Sequence, residues 1–147
     1  MNHAFLLFLM LLAGVGIPVM AALNANMGQQ LGNPIAAVTI LCAVALTTSI
    51  ALLALQPQPA GFSNLADAPK ASFIAGFFFI FYIASITYAA PKIGLGNAVV
   101  MVLVGQVIAA ALIDHFGLFG AESFPMNLRR LAGFGLLVGG FWLVTAR

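Results

Sequence analysis

Three polar side chains stand in or beside long apolar runs: Asn24, Tyr82 and Gln106. Each can donate and accept a hydrogen bond, and in hydrocarbon such a group needs a partner. All three are therefore expected to face protein or a water-filled cavity, as candidates to line a substrate site. Gln106 is the most enclosed, with Val102 to Gly105 before it and Val107 to Leu112 after it. Gly105 permits close backbone approach, so the amide either lines the cavity or bonds another helix for assembly alone. Tyr82, about mid-span, is expected to be buried with its hydroxyl paired. Asn24 closes an apolar run, and Asn26, Gln29 and Gln30 follow as caps that end the helix and close a loop.

Charged chemistry is confined to the ends of the runs. On one helix Asp114 would lie about 12 Å beyond Gln106 and about 80° round it, on an adjoining face. Its carboxylate can reach headgroups or pair with Arg129 or Arg130, as an ion pair or gate rather than a proton relay. The absence of a mid-span charge argues against an exchanger built on a mid-membrane carboxylate. The sequence has no phosphate-cradling glycine loop, nucleophile constellation or metal-ligand cluster. Cys42 is the single cysteine and reads as packing; with His3 and His115 it cannot complete a metal site. No catalytic residue, metal, cofactor or enzymatic activity is expected.

Two backbone features stand beside these groups. Gly16 and Pro18 predict a helix kink or local unwinding, serving either substrate coordination by freed backbone groups or a plain structural bend. Gly135 and Gly139 form a small-residue pair one helical turn apart, a candidate face for dimer packing.

The elements that must carry these residues follow from composition. Of 147 residues, 63% are hydrophobic and 5% charged, where a soluble domain carries about a quarter charged. Stretches of about twenty uncharged residues recur, the length of a membrane-crossing helix. The chain reads as an all-α integral membrane protein, one domain of five spans at about 4–24, 34–55, 71–90, 94–114 and 128–146. Asn33 caps the second span and Pro34 takes its first helical position. Gln56-Pro57-Gln58-Pro59 cannot continue that helix, and Pro91 closes the third. From Leu131 the last span is short of the bilayer core, so Asn127 and Leu128 are expected to extend it while the arginines snorkel. No Lys or Arg precedes the first span and its run is long, so it is expected to be retained rather than cleaved as a signal peptide. The net charge of +2 rests on five cations and implies contact with membrane lipids, with no nucleic-acid partner.

Five spans place the termini on opposite faces. The N-terminal side receives Lys70, Arg129 and Arg130; the other receives Lys92 and Arg147. Asp67, Asp114 and Glu122 all fall on the first side. The basic bias favours that side as cytoplasmic by one residue, and dual insertion fits the same count.

Pro91-Lys92-Ile93-Gly94, Val104-Gly105-Gln106 and Ile113-Asp114-His115-Phe116-Gly117-Leu118-Phe119-Gly120 closely resemble the YdcZ-type small membrane proteins of the drug/metabolite transporter superfamily. Arg129-Arg130-Leu131-Ala132-Gly133, Asn24 and Leu31-Gly32-Asn33-Pro34 fit the same pattern, so the resemblance covers nearly the whole chain. It departs at Met20, where that family usually has Gln one turn before the Asn of the first span. The resemblance implies a multi-pass inner-membrane protein, half of a ten-helix inverted-repeat transporter. It also implies an antiparallel homodimer, or a heterodimer with an oppositely oriented five-span relative, moving a small molecule of unknown identity. The competing reading is a non-transporting scaffold or assembly subunit paired with such a relative.

Overall fold

The computed structural model describes residues 3–56 and 62–145, and its regular elements are all helices, with no strand among the described residues. Its long helices are α1 (His3–Gln30), α2 (Pro34–Ala54), α3 (Ile74–Ile93), α4 (Leu95–Phe116) and α5 (Leu128–Thr145). Short 3₁₀ turns at Phe62–Asp67, Lys70–Phe73 and Leu118–Gly120 occupy the longer connections. Pro57 to Pro59, Ala146 and Arg147 lie outside the described residues. Among the described residues five helices are long and apolar enough to cross a membrane. Most of their large side chains face outward, an apolar exposure that water does not tolerate and lipid does.

The chain divides into two compact units, residues 1–92 and 93–147. In the first, α1, α2 and α3 meet through small residues. Ala21, Asn24, Ala25 and Gly28 form the buried stripe of α1, at the spacing of one helix face. Ala37 and Val38 of α2, and Ile83, Ile86, Thr87 and Ala90 of α3, supply the opposing surfaces. Gly28 sets the closeness: a Cβ there would stand 3.2 Å from the Pro34 Cα and 3.3 Å from the Thr87 Cγ2. Packing of this kind, rather than the hydrophobic effect, holds helices together in lipid.

The polar stretch after Asn24 is helix, not loop. α1 continues to Gln30, where Gln30 Nε2 donates to Asn26 Oδ1 at 3.5 Å. Burial of Asn24, Ala25 and Gly28 outweighs the turn preference of those amides. Its end is a glycine stop: Gly32 takes φ +63°, its N–H donates to the Gln29 carbonyl, and Asn33 N–H donates to the Gly28 carbonyl. Asn33 also begins α2, its Oδ1 accepting from the Ile35 and Ala36 amides at 3.0 and 3.2 Å. Three residues, Leu31 to Asn33, thus end one helix and start the next. Within α2, Thr39, Thr47, Thr48 and Ser49 donate their hydroxyls to carbonyls one turn back, so none is left unpaired towards lipid.

α1 is also unbroken through Gly16 and Pro18, so no unwound segment offers backbone groups there. Pro91 lies inside α3, which runs on to Ile93. Gly94 then takes φ +87° and separates α3 from α4, a conformation side chains other than glycine's resist.

In the second unit α5 packs along α4 and has no buried residue of its own. It begins at Leu128, with Asn127 Oδ1 accepting from the Arg130 amide at 2.9 Å. The connection leaves α4 at Gly117 with φ +59°, then passes through Phe119 at φ +58° and Gly120 at φ +81°.

Candidate functional site

Asn24 is buried, and its amide donates to Thr87 Oγ1 at 2.6 Å, tying α1 to α3. Thr87 is itself buried on the face shared with Ile83, Ile86 and Ala90. One amide and one hydroxyl thus satisfy each other inside a small-residue interface. Asn24 also reaches the wall of a groove of about 500 Å³ beside α1 and α2, lined by Val19, Met20, Leu23, Ile40 and Val44 among others. With Met20 at its wall, Asn24 is the one amide in that lining.

Tyr82 is half-buried, and its hydroxyl is enclosed without a hydrogen-bond partner. It does not share the Thr87 face, because five residues along a helix turn the side chain through about 140°. The expected pairing of this hydroxyl is therefore not met among the described residues. Gln106 is exposed on α4, and its amide makes no hydrogen bond among the described residues. Gly105 beside it has open space where a Cβ would lie. Asn24 and Tyr82 belong to the first unit and Gln106 to the second.

The charged residues form a separate cluster where α4 ends and α5 begins. Arg130 Nη2 donates to Asp114 Oδ2 at 2.9 Å, and Nη1 donates to the Phe124 carbonyl at 3.0 Å. The Phe124 amide in turn donates to the Asp114 carbonyl at 2.8 Å. His115 Nδ1 accepts from the Met126 amide at 3.0 Å, which puts the proton of a neutral ring on Nε2. Arg129 is exposed and takes no part in the ion pair. One guanidinium and one imidazole thus hold the whole connection against the helix ends. Both charges are about a third exposed, so the network's value lies more in positioning the connection than in Coulomb energy.

Gly135 lines an apolar groove of about 440 Å³ along α4 and α5, with Val104, Ala111, Phe134 and Val138. Neither Gly135 nor Gly139 has an atom close to where a Cβ would stand. The pair is not used for close packing by the described residues.

Sequence reasoning passed over Thr87 as the partner of Asn24, and His115 as a fastener of the connection. The first was open to detection: Thr87 falls on the small and β-branched stripe of α3 with Ile83 and Ala90. The second rests on the loop's path, for which no local pattern exists.

A family model described as "Putative inner membrane exporter, YdcZ" matches residues 5–143. No curated protein and no solved structure matches the chain.

Proposed function

We propose that this chain, which belongs to the YdcZ family, is a small-solute transporter of the drug/metabolite superfamily type that works as an antiparallel, dual-topology dimer by alternating access. The family is one of inner-membrane exporters by name, and five candidate spans agree with a multi-pass protein of that membrane. One observation carries the finer reading. Two polar groups set within spans, the Tyr82 hydroxyl and the Gln106 amide, find no partner among the described residues of the protomer. In hydrocarbon such groups are costly unless something outside supplies the hydrogen bond. A solute, a line of water or a second copy would do so.

Two oppositely inserted copies would recreate the inverted repeat on which many transporters are built. The odd span number and the three-to-two split of basic residues are compatible with both orientations. The open glycine pair of α5 would supply a packing face. Asn24, Tyr82 and Gln106 would line the path, and the Asp114–Arg130 pair would gate one end.

The test is flux in proteoliposomes holding the homodimer, or the chain with an oppositely oriented relative, across a broad solute panel. Transport by either supports the reading. Absence of flux from both leaves the scaffold reading, to which Met20 and the lack of a mid-span charge already lend weight. Within the same assay Gln106→Leu is expected to abolish transport while insertion stays intact. Unchanged flux would remove Gln106 from the path.

A further inference from the structure

At the end of the first unit a groove of about 400 Å³ opens between the ends of α1, α2 and α3, lined by Gly28, Gln29, Pro34, Thr87, Tyr88 and Lys92 among others. Its lining contains one charged side chain, Lys92. The Lys92 ammonium lies 3.3 Å from the centroid of the Tyr88 ring. The two residues are four apart on α3, a spacing that brings side chains together. The last turn of a helix also favours a cation. Ring and helix end both favour an ammonium at this position, in the lining of the groove.

Among the described residues no side-chain carboxylate shares the face of that cation. Asp67 follows α2, Asp114 lies in the last turn of α4 and Glu122 follows that helix, so all three side-chain carboxylates belong to the opposite side of a five-span chain. The start of α2 offers no competing anion site. Pro34 has no amide proton, and Asn33 already accepts from Ile35 and Ala36. The charge in the groove is therefore Lys92 alone, with the exposed Gln29 amide as a neighbouring donor.

The anion abundant at the depth where spans end is the phosphodiester of a lipid headgroup, and lysines near that surface attract anionic lipids. We propose that this groove is a binding site for the phosphate of an anionic phospholipid, with Lys92 as its charge, Tyr88 as the ring that holds the ammonium, and Gln29 as a hydrogen-bond donor. The site is independent of the transport reading, since it needs neither a substrate path nor a second copy.

The test is native mass spectrometry of the full chain in detergent with added phosphatidylglycerol or phosphatidylcholine. The wild type is expected to retain phosphatidylglycerol about fivefold better, the worth of one well-placed cation at a membrane surface. Lys92→Gln should lose that preference and Lys92→Arg should keep it. Tyr88→Leu should weaken it by about two- to fivefold, the range of a cation–π contact, whereas Tyr88→Phe should not. Lys70→Gln removes a lysine outside the groove and should leave the preference whole. The proposal is overturned if Lys92→Gln binds phosphatidylglycerol as the wild type does, or if Lys70→Gln weakens binding equally, which would mean diffuse surface charge. Competition by millimolar inorganic phosphate would also overturn it, in favour of a soluble anion. So would a Lys92→Gln variant that keeps its lipid but loses its dimer, since a partner carboxylate would then be the counter-ion.

Discussion

Asn24 and Thr87 illustrate how a polar pair can hold a membrane protein together. The two are 63 positions apart in sequence and share one short hydrogen bond inside a stripe of alanines and glycine. Thr87→Val keeps the shape and removes the acceptor, so it should destabilise the protein by about 1 kcal/mol, the scale of interhelical hydrogen bonds in lipid. Unfolding in mixed micelles checks this. Equal stability of the variant would mean that packing alone holds α1 to α3. Asn24 stood out by its place at the end of an apolar run, and Thr87 by its place on the small and β-branched stripe of α3. That the two meet was not legible, because a hydrogen bond across two intervening connections leaves no local trace. The choice of Arg130 over Arg129 was equally hidden. Neighbours on a helix point about 100° apart, and only the path of the preceding loop decides which one faces Asp114.

Helices and their ends divide in the same way between local and non-local causes. The cap by Asn33 and the position of Pro34 were readable because both act within one turn. The length of α1 was misread, because the amides after Asn24 look like a loop until α3 and Gly28 bury that face. The connection from α4 to α5 depends on a few side chains, so Arg130→Gln should loosen it without unfolding α4. Amide exchange at Phe124 and Met126 should then rise about tenfold or more, since a hydrogen bond to a charged group contributes roughly 1.5–3 kcal/mol. Exchange as slow as in the wild type would show that His115 holds the connection unaided. For α5, Gly135→Leu with Gly139→Leu is expected to weaken dimerisation while leaving insertion unchanged. A dimer crosslinked to the same extent would place the contact on another helix.

At the scale of the whole molecule, the all-helical, five-span architecture was open to reading from composition alone. The orientation of the chain was not, because three basic residues against two barely discriminates the faces. Reporters fused to each terminus will measure that balance. Under dual insertion both reporters should show mixed localisation, and adding two lysines beside Lys92 should move most of the population to one orientation. A single orientation that resists those lysines would exclude a charge-balanced chain. The three-residue junction between α1 and α2 bears on the same question through the order of synthesis. Because Gly32 stops one helix where Asn33 starts the next, the first two spans form a hairpin with almost no linker. Residues 1–69 contain no Lys or Arg, so that hairpin carries no basic charge of its own and Lys70 is made after it. Whatever directs the chain by its basic residues must act on a pair of helices already joined, turning both or neither.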